Sequence, residues 1–371
     1  MKRVLYFNNI FPLYRESIWK LLLRERKYRF EIFYSEKNFK NIKAFKKSKK
    51  DEFYNQLHSL NNFFINGRLI WQSNVIKTVM YSNFDIAIFL GEMTVISTWI
   101  AAIICRIRNK KVFFWSHGLY GNEPYLKKLI RILFLSLPNI NILYENRAKK
   151  LLVDNGFRNQ DLKVIYNSLN YDLQLKLFNR LQKQNKTPRL FENDLPIILF
   201  IGRLTPAKKI DILIDGVSII NKVTTKVNLL IIGEGPSLKN LKQISMKALS
   251  PQHYRFYGEL FDEEIIANLI YQSDLCVSPG NVGLTAIHSL SYGTPVASHN
   301  DLKNQMPEVE SIIEGVNGFL FEINNPEDLA NKILDWLNNK TKSKKDIRRV
   351  VDEKYNPYFQ KKIIDKIILN G

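Results

Sequence analysis

Short, continuous apolar runs alternate with longer stretches of helical period along most of the chain. In the first half the runs are VLYF from Val4, FEIFY from Phe30, FDIAIFL from Phe84, KVFFWS from Lys111, NILY from Asn141 and KVIYNS from Lys163. An unbroken apolar run fits a strand covered on both faces, where an alternating one fits a strand with one wet face. The intervening segments are long enough for crossover helices. The pattern therefore predicts a parallel, doubly wound sheet. Only the lysine-dense stretch from Asn38 to Lys50 departs from it, and it reads as a basic loop or a frayed helix.

Residues 182–196, QKQNKTPRLFENDLP, carry turn formers and mixed charge without a period, which predicts a linker. The alternation then restarts. PIILFIG precedes a helix from about Ile210, VNLLIIG one from about Ser237, YRFYG one from about Asp262, and DLCVSPG one from about Gly283, before PVASH. The expected organisation is a first α/β domain over 1–181, the linker, a second parallel α/β domain over 197–343, and C-terminal helices over 344–371. In that last segment Ile347, Val350 and Val351, then Ile363, Ile364, Ile367 and Ile368, have helical spacing interrupted by Pro357. They predict two short helices, the second packing back on the first domain.

Composition narrows the class. With 371 residues, 45% apolar and 24% charged, the chain is an ordinary globular one with enough length for two cores and a cleft between them. Its formal net charge of +20 is unevenly placed: residues 1–185 hold 32 Lys+Arg against 13 Asp+Glu, and residues 186–371 hold 23 against 22. A base-composition bias would act on both halves alike, so the basic first half points to an anionic partner or surface. The two cysteines, Cys105 and Cys276, sit in apolar runs without ligand-spaced neighbours and read as reduced thiols of a cytosolic protein. At the N-terminus, the run MKRVLYF stops at Asn8 and Asn9, as a strand does and a signal peptide does not. Met93 to Cys105 is too short to span a bilayer of roughly 30 Å.

Candidate chemistry gathers at predicted strand ends, where open parallel sheets bind ligands. In FIGRLTPAKKID a strand ends at Gly202, followed by Arg203 and Lys208. A guanidinium fork and an ammonium point charge leaving one strand end suit a diphosphate, although a solvated basic loop would look the same. In DLCVSPGNVGLTAIH, Gly280 and Gly283 lead into a helix whose first turn offers free N–H groups to an anion; the alternative is glycines serving tight packing alone. Gly233-Glu234-Gly235 lacks the third glycine of the dinucleotide fingerprint and reads as a strand-end turn lining the same cleft. His117 follows KVFFWS at another strand end, either as a structural histidine or as a group facing the cleft. The histidines form no metal set, and no nucleophile elbow is present.

The series GRLTPAKKID, IIGEGPSLKNL, YRFYGEL, YQSDLCVSPG, SYGTPV and EGVNGFLF resembles, in order, the donor half of the retaining glycosyltransferase family 4, which has the GT-B fold; FFWSHGLYG and KVIYNSLN match more loosely. The resemblance implies two Rossmann-like domains facing across a cleft. Arg203 and Lys208 would neutralise the diphosphate of a nucleoside-diphosphate sugar. Gly202, Glu234, Gly280, Gly283, Leu284, Thr285 and His288 would line the donor, with Gly258 to Leu260 beside the base. His117 would lie near the transferred sugar, and Asn9 and Arg15 on the acceptor side. No metal or other cofactor is expected.

Two positions depart from that family. Its Glu-x7-Glu pair falls on Gly280 and His288, and the turn after the first strand has Asn8-Asn9 where many relatives have glycines. The family's surface-polysaccharide members imply a saccharide acceptor on a polyprenyl-diphosphate lipid, at the cytoplasmic face of the membrane. PYLKKLIRILFLSL from Pro124 sets Lys127, Lys128 and Arg131 beside apolar residues, either as a membrane-surface helix or as a core helix with a basic edge. The rival readings are a GT-B epimerase or phosphorylase, a degenerate transferase that only binds, and a nucleic-acid-binding protein. The last explains the charge but not the phosphate turns in the near-neutral half, so no nucleic-acid partner is expected.

Overall fold

The computed structural model describes residues 1–36, 52–184, 190–223, 226–339 and 342–370. The basic stretch 38–50 and part of the expected linker, 185–189, lie outside the described residues. The chain forms two compact units, Met1–Asn170 with Pro357–Gly371, and Tyr171–Asn356.

The first unit contains β1 (Lys2–Phe7), β2 (Tyr28–Ser35), β3 (Leu57–Leu60), β4 (Asn62–Ile65), β5 (Leu69–Gln72), β6 (Ile86–Leu90), β7 (Lys111–Ser116), β8 (Ile140–Leu143) and β9 (Leu162–Val164). Its helices are α1 (Glu16–Leu23), α2 (Val75–Tyr81), α3 (Ile96–Ile107), α4 (Tyr125–Leu135) and α5 (Asn146–Val153). Seven strands pair in parallel in the order β3-β2-β1-β6-β7-β8-β9. The unbroken apolar run of β1 is divided by the strand period: Val4 and Tyr6 enter one core with Trp19 and Trp115, while Leu5 and Phe7 enter another with Phe89 and Phe114.

One element departs from the parallel pattern. β4 and β5 form an antiparallel hairpin turned by Asn66 and Gly67, both with positive φ (50° and 65°). Asn-Gly is the residue pair such a turn favours.

The second unit contains α6 (Tyr171–Lys183), β10 (Ile197–Ile201), α7 (Ile210–Asn221), β11 (Asn228–Ile232), α8 (Leu238–Ala248), β12 (Tyr254–Gly258), α9 (Glu263–Gln272), β13 (Leu275–Ser278), α10 (Thr285–Ser291), β14 (Val296–His299), β15 (Gly318–Phe321), α11 (Pro326–Asn338) and α12 (Lys344–Glu353). Its six-stranded parallel sheet runs β12-β11-β10-β13-β14-β15. Strand order reverses between β10 and β13, as it does between β1 and β6 in the first unit. In such a sheet that reversal opens a crevice beyond the strands' carboxyl ends.

The boundaries differ from those the sequence suggests. The first crossing falls at 170/171, ahead of 182–196, because α6 packs within the second unit. Gln174 Nε2 donates to Glu263 on α9 (3.3 Å), and the Phe178 ring meets Tyr271 (6.2 Å). The two C-terminal helices part company at 356/357. α12 stays with the second unit, where Ser343 and Asp346 form its capping box. The last helix, α13 (Pro357–Asn370), joins the first. Pro357 opens α13, where its missing N–H is no loss. Ile364, Ile367 and Ile368 then pack with Trp19 and Leu22 of α1. Tyr28 Oη donates to Asp365 (2.7 Å), and Lys361 bridges Asp365 and Glu25. The hydrogen bond from Lys361 holds the Glu25 carboxyl down at about 2.

Candidate functional site

In the second unit the loops leaving β10, β11, β12 and β13 are joined side by side into a crest. Gly202 N donates to Ile232 O (3.0 Å), Leu204 N to Glu234 O (2.8 Å) and Gly233 N to Gly258 O (2.8 Å). On the other side, Gly280 N donates to Lys208 O (3.0 Å) and Thr285 Oγ1 to Ile201 O (3.3 Å). The spacing leaves no room for side chains. A Cβ on Gly233 would stand 1.9 Å from Gly202 O, and one on Gly280 would stand 2.2 Å from Ala207 O. Gly280 is buried and serves backbone-to-backbone contact, whereas a Cβ on Gly283 would meet nothing within 4 Å.

The crest carries both cations. Arg203 is exposed just beyond β10, while Lys208 is drawn in: its Nζ donates to Asn281 O (2.7 Å) and Asn281 Oδ1 (2.9 Å). An ammonium has three donors, so one remains for a ligand. Burial pushes the Lys208 pKa below the usual lysine value, and the nearby carboxylate of Glu308 opposes that shift. Neither Asn281 nor Glu308 is visible as a partner in sequence, because each comes from a different loop. Glu234 is exposed on the turn after β11, where a Cβ on Gly258 would stand 3.9 Å from its Oε1, and Leu260 is half-buried in the loop after β12.

Position 288 gains a carboxylate that the local sequence does not supply. His288 Nε2 lies 2.9 Å from Glu263 Oε1 at the start of α9, and Tyr292 Oη donates to the same oxygen (2.6 Å). Burial raises the Glu263 pKa, but hydrogen bonds led by that with His288 more than offset it, and the net shift is downward. One ring nitrogen of His288 is therefore engaged within the protein. Leu284 and Thr285 stand at the start of α10, one turn before His288.

The first unit builds its strand-end site from side chains. A cavity of about 410 Å³ is lined by Asn9 beyond β1, Glu92 beyond β6, His117 beyond β7 and Tyr144 beyond β8, with Arg15, Trp115 and Arg131. The structure thus brings together Asn9, Arg15 and His117, which are far apart in sequence. Asn8 Oδ1 accepts from Asn9 N (2.8 Å), so a side chain shapes the turn that glycines shape elsewhere. The hairpin braces that turn: Asn62 Nδ2 donates to Asn9 O (2.9 Å) and Gln72 Nε2 to Asn8 O (3.1 Å). His117 packs its ring on Tyr144 (4.8 Å between centroids). Arg15 is buried with its guanidinium over Tyr144 (5.0 Å), Tyr14 (5.5 Å) and Trp115 (5.7 Å). Burial disfavours its charge, and the neighbouring phenols of Tyr144, Tyr14 and Tyr6 more than offset this, so its pKa is raised.

α4 is amphipathic, but not with the cations expected of it. Arg131 is buried, stacked over Tyr120 (4.6 Å), 3.5 Å from Glu123, and donating to Gly118 O (3.3 Å). It serves the cavity wall, because its place on the helix faces Phe134 and the sheet. The outward face instead carries Tyr125 (77% exposed), Leu126 (69%) and Leu133 (61%), with Lys127 exposed and Lys128 half-buried. Among the described residues no helix is long and apolar enough to cross a membrane.

This architecture is the GT-B fold. The whole chain superimposes on the lipopolysaccharide outer core galactosyltransferase WaaB with a TM-score of 0.73 over 100% of both chains at 16% identity. It also matches Anabaena HepE in complex with UDP, with a TM-score of 0.69 over 99% of both at 18% identity. Residues 182–351, most of the second unit, match the model of the Glycosyl transferases group 1 family. Among curated proteins, the chain is 28% identical over 232 residues to an uncharacterized glycosyltransferase of Methanocaldococcus jannaschii, a match covering 62% of this chain and 57% of that relative's length. It is 26% identical over 281 residues, 72% of each chain, to an uncharacterized 41.2 kDa protein in the cps region of Klebsiella pneumoniae.

Proposed function

We propose that the chain is a glycosyltransferase that moves a sugar from a nucleoside-diphosphate sugar, held by the second unit, to a saccharide acceptor taken by the first. The observation that carries this reading is the pairing of Arg203 and Lys208 on a backbone crest at the strand-order reversal. Glycosyl transfer from such a donor releases a nucleoside diphosphate, and the departing charge needs fixed positive groups. Arg203 supplies a two-pronged fork and Lys208 a point charge, so no metal is required to neutralise the leaving group. HepE binding UDP, and UDP-glucose in a further complex, fits this assignment.

We infer that transfer proceeds with retention. With the diphosphate oxygen held on one face of the sugar, that oxygen takes the acceptor proton while the acceptor attacks from the same side. No carboxylate nucleophile is then needed, which accords with Gly280 and His288 at the places where the resembled family has glutamates. The acceptor is a polyprenyl-diphosphate-linked saccharide, and the protein works peripherally at the inner face of the membrane. What supports this is the exposed apolar face of α4 beside Lys127, together with the cps-region relative and the lipopolysaccharide-directed neighbour. Each lysine near anionic lipid contributes about 1 kcal/mol, and apolar burial sets the depth.

The test is a panel of UDP- and GDP-sugars read by isothermal titration and by donor hydrolysis. One donor should bind and be slowly hydrolysed, with release of its nucleoside diphosphate. Absence of heat and of hydrolysis across the panel would sink the reading.

A further inference from the structure

The first-unit cavity holds a cation that the protein itself does not neutralise. Arg15 is 8% exposed and borders the cavity, and its Nε has no hydrogen-bond partner. Among the described residues, no carboxylate comes within 4.0 Å of its nitrogens. Glu16, the next residue in the chain, pairs with Lys20 instead (2.8 Å). Glu123 accepts from Tyr120 N and Gly121 N (both 2.8 Å) and faces Arg131, while Glu92 lines the cavity beyond ion-pair reach of Arg15. Arg15 is also the residue on which α1 begins, so it stands at the positive end of that helix dipole, the end that repels a cation. Aromatic faces and a hydrogen bond with Tyr144 ease its burial, but its Nε is left without a partner.

Two further polar groups are spare at the same wall. Trp115, 1% exposed, has an unpartnered Nε1, and Asn9 has an unpartnered Oδ1. A buried guanidinium, a helix N-terminus and the indole of Trp115, whose N–H has no partner, border one cavity and make a donor set without its acceptor.

We propose that this cavity selects an acceptor by an oxyanion, a phosphate or a carboxylate that the acceptor carries, and that Arg15 is the residue that recognises it. The proposal rests on the transferase reading for the word acceptor, but the anion site stands on the first unit's own geometry. Arg15 forms two parallel N–H···O bonds to the anion, with the Trp115 indole N–H available as a third donor. Asn9 Oδ1 takes a neighbouring hydroxyl of the sugar. The anion has two possible sources: the phosphate by which a saccharide is attached to its lipid, or the carboxylate of an acidic sugar.

Titration of the full-length protein with glucose 1-phosphate, glucuronic acid and glucose separates them. At least one anionic probe should bind about tenfold or more tightly than glucose, and the stronger of the two names the source. Arg15→Gln should abolish that preference, and Arg15→Lys should keep part of it through charge without the fork. Equal binding of all three probes by the wild type overturns the proposal and needs no variant. So does a preference that survives in Arg15→Gln, with a UDP- and GDP-sugar titration in parallel as the check on folding. If the anion preference holds while the donor panel fails, the transferase reading falls and the anion site remains.

Discussion

Both units have a parallel sheet with a reversal of strand order, seven strands in the first and six in the second, yet they furnish the carboxyl ends of those strands differently. In the second unit the loops are held by main-chain hydrogen bonds, with glycines allowing one loop to lie against the next. In the first, the corresponding cavity is walled by side chains, among them the rings of Trp115 and Tyr144 (6.3 Å between centroids), and a run of rings continues behind it into the core: Trp115 against Trp19 (5.3 Å) and Trp19 on Tyr6 (4.9 Å). Backbone-built sites suit a ligand part that is always the same, as a diphosphate is. Side-chain-built sites can be changed residue by residue, which suits the substrate that differs between relatives.

Glycine substitution should separate the two designs most sharply. Gly233→Ala places a Cβ against Gly202 O at a φ of +139°, and should cost about 4 kcal/mol or more, measured by urea unfolding. Gly283→Ala, in open space, should stay within about 0.5 kcal/mol of wild type. Similar losses for both would mean that the crest is not backbone-limited.

The cations of the crest come next. Arg203→Ala should lower turnover about 10²–10³-fold with the melting temperature unchanged, since the side chain is exposed. Lys208→Ala should lower both, because Asn281 loses the ammonium that ties it to the β10 loop.

In the first unit, Trp115→Phe should cost about 1–3 kcal/mol by calorimetry. It should weaken acceptor-analogue binding while leaving donor binding intact. A loss of donor binding of the same size would erase the division of labour.

A further effect is one of pH. Burial raises the pKa of Glu31, but hydrogen bonds from His58 and Arg3 and the charge of Arg29 bring it to about 2, below its ordinary 4.5. A depressed carboxyl stabilises the fold above its unfolded pKa. That share should be intact above about pH 4.5 and lost as pH falls toward 2. In acid titration followed by tryptophan fluorescence, Glu31→Gln should flatten this slope for the first unit.

The second unit was legible in sequence for the physical reason that the comparison exposes. Where backbone lies on backbone, glycine is obligatory at fixed positions beside apolar strands, so GRLTPAKK and SPGNVG mark the crest in the sequence itself. The first unit offered weaker marks, FFWSHGLYG and KVIYNSLN. Its Arg15 and His117 are ordinary residues until folding brings them to one wall, and Arg131 could not be assigned inward or outward from helical spacing alone. The Glu263–His288 pair escaped for the same reason, being joined only by the packing of α9 on α10. The hairpin did leave a signal, Asn66-Gly67, but its strands are short and half exposed, and β15 was visible only as the phrase GFLF.

The connections at 170/171 and 356/357 have a further consequence. Tyr171 Oη donates to Asp352 (3.0 Å), and Arg348 stacks over the Tyr171 ring (5.2 Å), so the stretch 171–356 begins and ends at a single doorway. The chain is thus one protein inserted within another. Its inner portion is a natural cassette: excised at those two bonds it keeps its own latch, and it could be exchanged between relatives without recutting the host's sheet.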